Sequence, residues 1–187
     1  LLPALQPATW LLQVMPLFFF VGGFSHAVGL DSVCRRGLGY AEFVRIRAGR
    51  LLLPTSIFVV CWLVLAICLE RAGQDHGLAA MASRVVAQPL WFVGVYLGVI
   101  AAAPAMLRWH RGRHGATALP LLVVGVAVVD FIRVGLGGFE IGFVNVALVW
   151  LAVHQLGFWY ADGRLDHPAV ASGLAAGGLA GHVALTT

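Results

Sequence analysis

The stretch from Leu51 to Leu69, LLLPTSIFVVCWLVLAICL, carries no formal charge over nineteen residues. A helix rises about 1.5 Å per residue, so the run covers roughly the 30 Å hydrocarbon core of a bilayer. It shows no regular apolar and polar alternation, which excludes a half-lipid, half-water barrel strand. In lipid every backbone N–H and C=O must find its partner within the segment, and a helix does this. Five further runs of similar character lie near residues 8–30, 88–107, 117–136, 142–160 and 168–187, giving six expected spans with 51–70. Composition agrees: 60% hydrophobic and 11% charged residues leave too little polar surface to cover a soluble globule of 187 residues. The expected fold class is all-α, a polytopic transmembrane helix bundle surrounded by membrane lipid, with no nucleic-acid partner. No linker, composition shift or internal repeat divides the chain, so residues 1–187 read as a single domain.

The twelve basic residues are all arginine, and they are unevenly shared. The first, third and fifth connections carry Arg35, Arg36, Arg45, Arg47, Arg50, Arg108, Arg111, Arg113 and Arg164, while Arg71, Arg84 and Arg133 fall in the second and fourth. Excess positive charge marks the cytoplasmic side, so the odd-numbered loops are expected there, in a plasma-membrane protein. That orientation starts the chain outside, without a basic leader or a cleavage signal. The simplest expectation is a further spanning segment upstream, and both ends read as cut. Cys34, Cys61 and Cys68 fit neither a disulfide framework nor a zinc pattern and read as packing residues. No metal is expected.

Several residues have the chemistry to form a site. Phe18, Phe19 and Phe20 precede Gly22 and Gly23, an aromatic block beside small residues that permit close helix approach. His26 follows near the cytoplasmic end of that span, either as an interfacial cap or facing a cavity. His154, on the fifth span, lies at a comparable depth, so the two can meet across the bundle. A histidine there suits either general-base catalysis on a hydroxyl or a buried interhelical hydrogen bond. Phe43, Arg47, Arg50 and Pro54 recur every three or four residues and share one helical face leading into the second span, with Pro54 in its first turn. Two arginines one turn apart form either positive-inside anchors or a forked clamp for phosphate; Arg35, Arg36 and Arg45 read as anchors. Asp130 and Arg133 form a three-apart pair toward the outer end of the fourth span. With Asn145 and Trp150 of the fifth, they are candidates for an outward-facing substrate pocket. Pro89, Leu90 and Trp91 read as the entry of the third span, and the spacings Gly94/Gly98 and Gly173/Gly177/Gly181 read as notches for tight helix packing.

The run from Pro16 to Phe24, PLFFFVGGF, then Arg47-Ala48-Gly49-Arg50-Leu51 with Pro54, then Pro89-Leu90-Trp91-Phe92-Val93, resembles in order and spacing the pattern of the acyltransferase-3 family, especially actinobacterial members. Gly22 departs from it, standing where many relatives have serine. The resemblance implies a polytopic membrane enzyme that takes an acyl group, often acetyl, from acyl-CoA to a hydroxyl-bearing acceptor: a carbohydrate, lipid or natural product. It implies that Arg47 and Arg50 contact the phosphates of acyl-CoA on the cytoplasmic side, and that no cofactor is bound apart from that donor substrate. It also implies a catalytic histidine in the family's first span, preceded roughly three helical turns earlier by an arginine. No segment here matches that motif, so the histidine is expected upstream and this piece alone is expected to be inactive; His26 and His154 stay weak candidates. Two readings of other classes stand beside it. One is a small-solute transporter whose pathway is lined by Asp130, Arg133, Asn145 and His154; the other is a non-catalytic membrane subunit.

Overall fold

The computed structural model describes residues 14–71, 73, 77–137 and 141–186, and among these residues it is helical with no strand. Six α-helices follow in order: α1 Val14–Arg35, α2 Tyr40–Arg71, α3 Gly77–Arg111, α4 Ala118–Leu136, α5 Gly142–Ala161 and α6 Pro168–Thr186. Among the described residues five segments are long and apolar enough to cross a membrane: Met15–Arg35, Tyr40–Arg71, Leu90–Arg111, Gly115–Gly135 and Gly142–Ala161. The all-α membrane architecture expected from the sequence is therefore present, with α6 as the sixth helix. The first span, expected from residue 8, is described from Val14 onward, and residues 8–13 lie outside the described residues. Helix ends follow local chemistry. After α1 the chain turns at Gly37 (φ 69°), and after α4 at Gly137 (φ 72°), left-handed conformations that a side chain disfavours.

Two helices begin earlier than the sequence suggested. The arginine-bearing stretch and the second span form one continuous α2, so Pro54 sits inside the helix and not in its first turn. Pro54 has no N–H for the carbonyl one turn back, but breaking a helix near lipid would expose many more backbone groups than that one. At 32 residues α2 is about 48 Å long, well beyond the hydrocarbon core, so its charged first turns extend past the apolar span. Likewise α3 starts at Gly77, so Pro89 lies within it and Arg84 stands on a helix instead of in a connection. Residues 78–88 are mostly good helix formers, and nothing among them stops the helix.

The described residues form two compact units, 14–28 with 105–186 and those between 29 and 104; the chain passes from one to the other within α1 and again within α3. In the first unit α4 packs on α5, with Gly125 opposite Leu148. The amino-terminal part of α1 crosses α5 where Gly23 meets Gly157 backbone to backbone. Phe19 is fully buried there and stacks on Trp150 at 4.3 Å, while Phe18 and Phe24 remain exposed. In the second unit Phe43, Val99, Ile100 and Ala103 are buried, and the Tyr40 hydroxyl donates to the Ala101 carbonyl at 3.1 Å, joining α2 to α3. The most apolar stretch of α2 buries none of itself. Such a surface belongs against lipid or other apolar chains. Cys61 and Cys68 lie on it, exposed and not packed, and Cys34 is exposed as well. The expected glycine notches also find no neighbour. A Cβ at Gly94, Gly98, Gly173, Gly177 or Gly181 would meet open space.

Candidate functional site

In the first unit the Gly23–Gly157 crossing brings α1 and α5 close enough for their polar side chains to meet. His26 Nδ1 lies 2.9 Å from His154 Nε2, and both rings are buried. Two ring nitrogens at that distance need one N–H and one lone pair. Nδ1 of His154 has no hydrogen-bond partner, which is least costly as a bare lone pair. On that assignment His154 Nε2–H donates to His26. The two weak catalytic candidates thus come together, each using a ring nitrogen on the other and neither exposed.

One residue further along α5, fully buried Gln155 begins a second chain. Its amide Nε2 lies 2.8 Å from His110 Nδ1, and His110 Nε2 lies 3.0 Å from a carboxylate oxygen of Asp162. A neutral imidazole satisfies both if Gln155 donates to Nδ1 and Nε2–H donates to Asp162. Asp162 follows the last residue of α5, and its other oxygen is 3.6 Å from Arg111, so the carboxylate joins the carboxyl ends of α3 and α5. Gly115 fixes the turn after α3, since any Cβ there would strike the His110 carbonyl. The Phe158 ring packs against both His110 and His154.

Replacing His154 alone by Phe is expected to cost about 1–3 kcal/mol, because His26 loses the partner of a buried ring nitrogen. Combining His26→Leu with His154→Phe is expected to recover part of that loss. Unfolding in detergent of the two single variants and the double variant checks this, and simple additivity would mean that the pair carries no interaction.

Elsewhere in the first unit, Asp130, Arg133, Asn145 and Trp150 line one cavity of about 320 Å³. Arg133 lies 3.5 Å from Asp130, both about half exposed, and Asn145 Oδ1 is buried without a hydrogen-bond partner. The four residues grouped from the sequence are brought together. They offer a carboxylate, a guanidinium, an amide acceptor and an indole to a polar ligand.

In the second unit Arg47 and Arg50 line a cavity of about 180 Å³. Phe43 and Ile46 join them from α2, while Gly29, Ser32 and Val33 come from α1 and Arg36 from the turn that follows it. The Arg47 guanidinium carbon stands 5.9 Å from the centre of the Phe43 ring. Arg45 points elsewhere, to Glu42 at 2.7 Å. Among the described residues no group of three or more His, Cys, Asp or Glu side chains is placed to hold a metal ion.

A family model described as an acyltransferase domain matches residues 2–186, nearly the whole chain. The chain belongs to the acyltransferase-3 family. No curated protein and no solved structure matches it.

Several features of this acyltransferase-3 chain are not legible in its sequence. His110 and Asp162 are 52 residues apart and carry no local pattern that announces their hydrogen bond. Gly157 is one of 23 glycines, with nothing nearby to mark it as the partner of Gly23. Arg36, which reads from the sequence as an anchor, lines the Arg47/Arg50 cavity. A signal existed for Arg36 and for Gly29: Gly29, Ser32, Val33 and Arg36 fall three, four and seven residues apart and so share one helical face.

Proposed function

We propose that this acyltransferase-3 chain is part of a plasma-membrane enzyme that moves an acyl group from acyl-CoA to a hydroxyl of a carbohydrate, lipid or natural product. The observation that carries the donor half is the Arg47/Arg50 cavity at the charged end of α2, which this reading sets on the cytoplasmic side, where a water-soluble anion would meet the membrane. Forked guanidinium groups bind phosphate oxygens two at a time, which lysine does not. The cavity of Asp130, Arg133, Asn145 and Trp150 is the candidate acceptor site in this reading.

In the reaction a base removes the proton of the acceptor hydroxyl, and its oxygen attacks the thioester carbonyl carbon. The carbon–sulfur bond then breaks, the acyl group remains on the acceptor as an ester, and the proton ends on the CoA thiol. The thioester is already activated, so the protein's tasks are positioning, proton removal and stabilisation of the oxyanion. His26 and His154 act in this scheme as buried packing groups, because each holds the other and neither lines the donor or the acceptor cavity.

Incubating membranes that contain the intact protein with acetyl-CoA and a mixture of hydroxylated acceptors tests the proposal. Free thiol should appear in step with ester. No thiol above that of protein-free membranes, with every acceptor class present, would overturn it.

A further inference from the structure

The cavity between α1 and the start of α2 collects three guanidinium groups, with Ser32 and no carboxylate among its lining residues. Like charges drawn around one small space repel each other, and an anion within it offsets that repulsion. Its volume is about 180 Å³, room for a phosphate group with some hydration.

The position of Arg47 is set by what α1 lacks. A Cβ at Gly29 would strike Nη2 of Arg47 and lie 3.0 Å from its Cζ, so the guanidinium rests directly on the α1 backbone. Arg36 is steadied differently, by donating Nε–H to the Ser32 carbonyl at 3.3 Å. Arg45, equally close in sequence, is 76% exposed and taken by Glu42, which makes it an internal control.

We infer that Arg36 completes, with Arg47 and Arg50, a cradle for a single phosphate group, and that Gly29 is the seat that sets Arg47 in it. The inference deepens the donor-site reading and rests on it only for the source of the phosphate. A soluble nucleotide and a lipid headgroup share this chemistry.

The test uses the intact protein in phosphatidylcholine nanodiscs, titrated with 3′,5′-ADP, which carries phosphate monoesters but no thioester. Arg36→Gln is expected to weaken binding about ten-fold or more, as the loss of a charge-assisted hydrogen bond does. Gly29→Val should weaken it comparably by displacing Arg47, while Arg45→Gln should leave it unchanged. Thermal midpoints of the Arg36→Gln and Arg45→Gln variants report whether the fold is intact. Wild-type affinity in Arg36→Gln, or an equal loss in Arg45→Gln, would overturn the cradle. A second arm dopes the discs with phosphatidic acid. Arg36-dependent retention of that lipid without 3′,5′-ADP binding keeps the cradle and removes the donor reading, whereas binding of neither overturns the cradle itself. Nucleotide binding without thiol release leaves the cradle standing and removes the transfer reading.

Discussion

Gly157→Leu is expected to destabilise the first unit by about 3 kcal/mol or more, at the upper end of what overpacking costs. The reason is the kind of atom that a side chain would meet. A Cβ at Gly157 would strike the Phe20 carbonyl and approach Phe24 N to 2.6 Å and Gly23 Cα to 2.8 Å. These are backbone atoms of α1, which cannot rotate aside as a side chain can. The helices would have to separate, and with them the His26–His154 hydrogen bond and the Phe19–Trp150 stack. Gly177→Leu is the matched control, because a Cβ there meets open space and removing a helical glycine gains up to about 1 kcal/mol of helix propensity. Thermal unfolding of both variants in the same detergent should separate them clearly. Equal midpoints would show that the crossing is not held by backbone contact.

The contrast between those two glycines shows what a sequence of this kind reveals. An uncharged run such as Leu51–Leu69 declares a membrane helix by itself, since length and apolarity alone decide whether lipid accepts it. Helix limits outside the lipid are harder to read. Residues 40–50 and 78–88 are helical although charged or mixed, and Pro54 and Pro89 mark no helix start. Small residues four apart say that a helix can be approached, not that another helix is there, so Gly173, Gly177 and Gly181 mislead where Gly23 does not. The groupings Asp130–Arg133 and Arg47–Arg50 were legible because each lies within one turn of one helix. Gln155–His110–Asp162 was not, because it depends on which helices become neighbours and no local period encodes that.

Replacing Arg47 and Arg50 together by Gln is expected to lower the affinity of the intact protein for acetyl-CoA by about a hundred-fold or more. Each guanidinium contributes on the order of 1.5–3 kcal/mol when it binds an anion. Glutamine keeps the length and polarity of the early side chain and removes the charge and the fork. Folding should survive, because Arg50 is exposed and Phe43, the large buried residue of that face, is retained. Titrating acetyl-CoA into wild-type protein and this double variant in nanodiscs is the most direct test of the donor assignment on which the acyltransferase reading depends. The reading predicts saturable wild-type binding, reduced about a hundred-fold in a double variant that still unfolds cooperatively. Equal affinity in the two proteins, or transport of a solute without any dependence on acyl-CoA, would contradict it.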